Sequence, residues 1–96
     1  MRPSEALAKH RDEVLAILAR YPVSNPRIFG SVARGEDTDG SDLDMVIDVT
    51  GPFSYFDMAA MADELEAMLG CKVDLGTARS LRPHVAVHAV AEMRPL

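Results

Sequence analysis

Apolar residues recur at helical spacing over residues 5–20, where Leu7, Val14, Leu15, Ile17 and Leu18 share one face. The spacing predicts a first helix over 5–20, capped by Ser4 just after Pro3, with Lys9 to Glu13 mostly facing solvent. Pro22 to Pro26 break it. Arg27-Ile28-Phe29 reads as a short strand ending at Gly30, and Ser31 to Arg34 as a single helical turn closed by Gly35. Residues 36–41 have the composition of a loop. Over 42–49 the pattern alternates, so Asp42 and Asp44 point one way while Leu43, Met45 and Ile47 point the other. Thr50-Gly51-Pro52 stops that strand.

A second long helix is clearly punctuated. Ser54 caps it with Asp57 at the third position, Phe53 and Met58 occupy the positions of a hydrophobic staple, and Gly70 is a natural stop. Met58, Met61 and Met68 follow its period and read as core filler. Residues 71–75 predict a third strand, and residues 81–93 a last helix with Pro83 in its first turn. The order is helix, strand, strand, helix, strand, helix, with no internal repeat or linker. The helix between the second and third strands is long enough for a crossover, so part of the sheet can be parallel. The fold class is α+β: a short mixed sheet of three strands or slightly more, with helices mainly on the face of Leu43, Met45 and Ile47. The face of Asp42 and Asp44 is expected to stay open to solvent or ligand.

Composition narrows this picture modestly. With 96 residues, 48% hydrophobic and 26% charged, the chain suits one globular core. No apolar run approaches a membrane span, and the N-terminus lacks the apolar stretch of a signal peptide. Cys71 is the only cysteine, which precludes an intrachain disulfide and fits a reducing cytoplasm. It reads as a small buried residue. The net charge of −5 and the lack of a Lys/Arg block argue against a long nucleic acid as partner. A nucleotide carried with Mg²⁺ remains compatible, because the metal offsets the like charge.

The chemistry concentrates in residues 30–44. Gly30 lets backbone approach a ligand closely, and Ser31 offers a hydroxyl and an amide where a helical turn starts and unpaired N–H groups attract phosphate. Arg34, one turn on, either reaches the same phosphates or braces the loop through a carboxylate. Asp42 and Asp44 at a strand's mouth repel each other unless a cation sits between them. If the third strand lies beside the second, Asp74 joins them on one face. Three carboxylates suit a two-ion site, and Mg²⁺ is the natural occupant because it prefers oxygen and keeps bonds to phosphates.

Gly30-Ser31-x-Ala33-Arg34-Gly35, then Ser41-Asp42-x-Asp44-x-x-Ile47, then Val73-Asp74-Leu75 resembles the minimal nucleotidyltransferases of the DNA polymerase beta superfamily. The likeness is greatest to stand-alone domains encoded beside HEPN-domain proteins, where the pair acts as a toxin–antitoxin system. It spans nearly the whole chain, including the leading helix and the tail Ala91-Glu92-Met93, and implies one minimal nucleotidyltransferase domain over 1–96. It implies that Asp42 and Asp44 bind both metals and that Asp74 binds the catalytic metal and orients or deprotonates the incoming hydroxyl. Gly30 and Ser31 would hold the triphosphate, with Arg34 and Ser41 also on the nucleotide side. The donor implied is a nucleoside triphosphate, usually ATP, whose NMP passes to a hydroxyl with release of pyrophosphate. In the HEPN-paired branch the acceptor is a tyrosine of the partner toxin, which adenylylation silences. Many relatives carry a basic residue and a proline where this chain has Asp37-Thr38-Asp39-Gly40, so the loop is expected to be more acidic and more flexible here.

Other readings compete at single residues. Asp48 reads as solvated or salt-bridged, and residues 37–42 lack the glycine and glutamate positions of a calcium loop. Arg79 and Arg82 read as surface residues, and His84 and His88 share a helical face without a third zinc ligand. Two alternative functions stand beside the enzyme: an antitoxin that neutralises its partner by binding alone, and nucleotidyl transfer to a small molecule.

Overall fold

The computed structural model describes residues 1–77 and 93–96. The leading apolar stripe forms two helices instead of one. α1 (Pro3–Lys9) and α2 (Arg11–Leu18) meet at His10, whose φ of −112° and ψ of 23° leave the helical range. His10 still donates to the Ala6 carbonyl and accepts from the Val14 N–H, both at 2.9 Å, so the junction is a bend without a connecting loop. The cap also differs from expectation. Arg2 is the N-cap, and the Glu5 carboxylate accepts its backbone N–H at 3.1 Å. Ser4 lies inside the first turn, where its own N–H lacks a helical partner.

β1 (Val23–Phe29) starts four residues earlier than the pattern predicted. Val23 and Ser24 pair with Val49 and Asp48, and a bulge then absorbs Asn25 and Pro26, with Asn25 at φ +50°. Pro26 cannot donate a ladder bond, and a bulge is where a strand tolerates that loss. α3 (Gly30–Arg34) follows directly and ends at Gly35 in the left-handed region. β2 (Leu43–Val49) and α4 (Tyr55–Leu69) match their sequence signals. At α4 the Ser54 Oγ accepts from the Asp57 N–H at 3.2 Å, and Asp57 returns the bond to the Ser54 N–H at 2.9 Å. β3 (Val73–Thr77) begins two residues later than expected, and β4 (Arg94–Pro95) was not anticipated.

The sheet order is β3-β2-β1-β4. The α4 crossover makes β2 and β3 parallel, while β1 runs antiparallel to β2 and β4. The helix predicted over 81–93 falls outside the described residues except for Met93, which is not helical. Arg79, Arg82, His84, His88, Ala91 and Glu92 also lie outside them. Among the described residues, no helix is long and apolar enough to cross a membrane.

Leu43, Met45 and Ile47 of β2 are fully buried against Val14, Ile17 and Leu18 of α2 and Met61, Leu65 and Leu69 of α4. Each such side chain contributes about 1.5–3 kcal/mol through lost water contact. Met68 packs against this cluster, and Met58 lines a surface groove. The Tyr21 hydroxyl donates to Glu64 of α4 at 2.5 Å, and Arg20 pairs with the same carboxylate, which joins the end of α2 to α4. These two partners hold the Glu64 carboxyl below its usual range. The carboxylate face of β2 is less open than expected: Val46, between Asp44 and Asp48, is fully buried outside the main cluster.

Candidate active site

Three strand ends converge on Asp44. In the ladders it sits opposite Phe29 of β1 on one side and Asp74 of β3 on the other. Gly30 follows Phe29 immediately and has φ +74°. A Cβ built there would overlap Asp44 Oδ2 and lie 3.3 Å from its Cγ. Only glycine therefore allows both the turn and the carboxylate behind it. Ser31 and the rest of α3 continue from this point, and the Gly35 N–H closes the turn on the Ser31 and Val32 carbonyls.

The electrostatics of the trio follow from this crowding. Burial pushes the Asp44 carboxyl up to about 6, helped by the charges of Asp74 and Asp42 and a side-chain hydrogen bond with Asp74, while Arg34 pulls the other way. Asp42 is half-buried one residue before the ladder begins, and Asp74 is exposed with Lys72 Nζ 3.8 Å from its Oδ1. The Leu43 N–H donates to the Lys72 carbonyl at 2.8 Å, which aligns the mouths of β2 and β3. Burial, with Glu66 and Asp42, also raises the nearby Cys71 thiol, in keeping with a half-buried, unreactive residue.

Like charges brought this close favour a bound cation, and an all-oxygen donor set suits a hard one such as Mg²⁺. Among the described residues, no three His, Cys, Asp or Glu side chains form a ready-made metal cage. A closed cage is not what Mg²⁺ requires, because it usually takes one or two carboxylates and completes its shell with water and phosphate oxygens. The residues present thus fit the ion as part of a nucleotide complex.

Of the seven residues singled out from sequence, Gly30, Asp44 and Asp74 meet across the ladders, Ser31 begins the adjoining turn, and Asp42 lies at the mouth of β2. Ser41 is turned inward on its own loop: its Oγ accepts from the Thr38 N–H at 2.8 Å. Arg34 Nε donates to Glu36 at 3.0 Å, which is the loop-bracing alternative, although its charge is also felt at Asp44. Asp48 is salt-bridged to Arg27 at 2.7 Å.

Sequence reasoning missed two neighbours. Lys72, just before β3, puts its Nζ 3.8 Å from Asp74 Oδ1, and its i, i+2 spacing to Asp74 was legible once the strand was placed. Asp37 was read as part of a flexible acidic loop, yet it is only 4% exposed and accepts the Ser4 N–H at 2.8 Å. Burial opposes its charge, but the Ser4 bonds prevail and hold the carboxyl below its usual range. The loop is therefore fastened, and no local pattern signals a contact made across 33 positions.

Residues 7–96 match the nucleotidyltransferase domain family. The chain is 39% identical over 82 residues to a protein of Methanocaldococcus jannaschii provisionally named a protein adenylyltransferase, covering 84% of this chain and 81% of that one. It is 32% identical over 87 residues to the protein adenylyltransferase MntA of Thermococcus cleftensis, covering 91% and 85%. A solved structure provisionally described as a minimal nucleotidyltransferase superposes with a TM-score of 0.83 at 36% identity, over 97% of this chain and 95% of that one. An MNT antitoxin in complex with a tri-AMPylated HEPN toxin of Shewanella oneidensis superposes with a TM-score of 0.69 over 92% of this chain and 69% of that one. At 17% identity this likeness speaks for the fold alone.

Proposed function

The chain belongs to the nucleotidyltransferase domain family and is an enzyme of that class, and from this premise we propose that it transfers AMP from ATP to a tyrosine hydroxyl of a HEPN-domain partner, acting as its antitoxin. The observation that carries the reading is the meeting of Asp44, Asp74 and Gly30 at one end of the sheet. The names of the relatives, protein adenylyltransferases, and the AMPylated HEPN toxin bound to the antitoxin of similar fold support protein as the acceptor. In this reading residues 1–96 act as one minimal domain.

Asp42, Asp44 and Asp74 would hold Mg²⁺, whose chemistry is to neutralise phosphate charge and polarise the reacting oxygens. Gly30 and Ser31 present backbone N–H groups to the triphosphate, with Arg34 alongside and Ser41 shaping the adjacent loop. Asp74 is the most exposed of the three carboxylates, and in this reading it is the one that meets the acceptor. It takes the proton of the tyrosine hydroxyl as that oxygen bonds to the α-phosphorus. The bond from the α-phosphorus to the bridging oxygen breaks, and pyrophosphate leaves with the electron pair.

The test is intact-mass measurement of both proteins after incubation with ATP, Mg²⁺ and the product of the adjacent gene. The expected result is added AMP on the partner that disappears with Asp42→Asn and Asp44→Asn. Neutralisation that survives both substitutions without a mass change would sink the enzymatic reading in favour of binding alone.

A further inference from the structure

Asp37 is the one buried charged side chain among the described residues. Its Oδ2 accepts from the Ser4 N–H in the first turn of α1, one of the donors that a helix leaves without an internal partner. Its Oδ1 is also buried and has no hydrogen-bond partner among the described residues. An apolar side chain would avoid that desolvation cost but leave the Ser4 N–H without its acceptor, so the contact, and not packing, accounts for a carboxylate here.

The loop around Asp37 is what this contact holds. Its beginning is knotted to α3, where the Glu36 N–H donates to the Ser31 carbonyl at 2.9 Å. Its end is a closed turn, with the Ser41 N–H on the Thr38 carbonyl at 3.0 Å and the Thr38 N–H on Ser41 Oγ at 2.8 Å. Asp37 lies between these two knots and ties them to the helical layer. Asp44 and Asp74 are fixed by ladder pairing whatever the loop does. Asp42 is not, because the β2 ladder starts at Leu43. The position of Asp42 relative to Ser31 therefore depends on what fastens the loop between them.

We infer that Asp37 is a positioning residue for the candidate site, fastening to α1 the loop that carries Asp42 and so setting how tightly nucleotide and metal are held. This rests on the nucleotidyltransferase reading above. The test is calorimetric titration of the full chain with Mg²⁺ and AMP-PNP, well below the melting temperature. Asp37→Ala is expected to weaken the apparent Kd by roughly tenfold, the usual effect of removing a residue that orients a metal ligand. Asp37→Asn keeps an acceptor for the Ser4 N–H and restores most of the affinity. Ile17→Val, which removes a buried methylene of α2 without touching the Asp37–Ser4 bond, lowers the melting temperature and leaves Kd unchanged. If Asp37→Ala fails to fold, Asp37→Glu replaces it: the added methylene displaces the loop and weakens Kd while the charge is kept. A wild type that binds no AMP-PNP overturns the underlying reading. A wild type that binds, with the Asp37 variant equal to it or Ile17→Val equally weakened, overturns this inference alone.

Discussion

Gly30→Ala separates the two demands made on that position. Gly30, Gly35 and Gly70 all have positive φ, at +74°, +72° and +71°. An alanine at any of them incurs the same backbone penalty, about 1–2 kcal/mol. What the new methyl meets differs. Around Gly35 and Gly70 a Cβ has nothing within 4 Å among the described residues, whereas at Gly30 it overlaps Asp44 Oδ2. Gly35→Ala and Gly70→Ala thus calibrate the strain alone and should lower the melting temperature by about 4–8 °C per kcal/mol. Gly30→Ala must also move the Asp44 carboxylate, and a misplacement of about 1 Å at a reacting centre costs on the order of 100-fold in rate. That corresponds to about 2.7 kcal/mol of transition-state stabilisation. The assay is AMP transfer or pyrophosphate release, normalised to folded protein, beside thermal melts of all three variants. Gly30→Ala that matches Gly35→Ala in rate would refute the contact between glycine and carboxylate as a functional constraint.

Three further outcomes follow from the same geometry. With Asp44 pushed up to about 6, the folded chain binds this proton more tightly than the unfolded one. The resulting stability is full below about pH 4 and is lost as pH rises through the folded value. Metal-free wild type should therefore lose urea resistance relative to Asp44→Asn between about pH 4 and 7, with Mg²⁺ reversing the loss; a flat difference would contradict the burial of Asp44 and its crowding by Asp74 and Asp42. Asp74→Asn should weaken Mg²⁺–AMP-PNP binding in a titration far less than it lowers transfer, which drops roughly 10²–10⁴-fold because the proton acceptor is gone. Ser54→Ala removes the α4 cap, costs about 1 kcal/mol and should lower the melting temperature without changing the rate of transfer. A rate change in that variant would mean that the cap reaches the site.

What sequence could show divides along physical lines. α4 was legible from end to end because its cap, period and glycine stop are all local. The inward face of β2 was legible because alternation alone assigns it. The bend at His10 and the early start of β1 were not, since one depends on how two helical turns settle on the core and the other on a bulge that accommodates Pro26. β4 has two residues and hence no period to read. For the site, Gly30, Ser31, Asp42 and Asp44 form one continuous motif. Asp74 needed the parallel register that only the crossover supplies. Asp37 was invisible because an aspartate among threonine, glycine and other acids looks solvated, and its partner Ser4 lies on another element.

The mixed direction of the sheet is what allows so small a chain to assemble this site. β2 and β3 run parallel, so Asp44 and Asp74 come level near the starts of their strands. β1 runs the other way, so its end, not its start, lies beside them, and the turn that follows it delivers Gly30 and Ser31 to Asp44. Had β1 been parallel to its neighbours, that turn would open at the far end of β2. Five residues of strand beyond Asp44 would then separate it from that carboxylate, a distance of about 17 Å. The Gly30–Ser31 turn and the Asp42, Asp44 and Asp74 carboxylates would then not form one cluster. The antiparallel step between β1 and β2 therefore assembles the candidate site as much as any single aspartate does. It also explains why the motif is compact in sequence: a turn, a short loop and a returning strand place the Gly30–Ser31 backbone and the Asp42 and Asp44 carboxylates together within fifteen residues, Gly30 to Asp44.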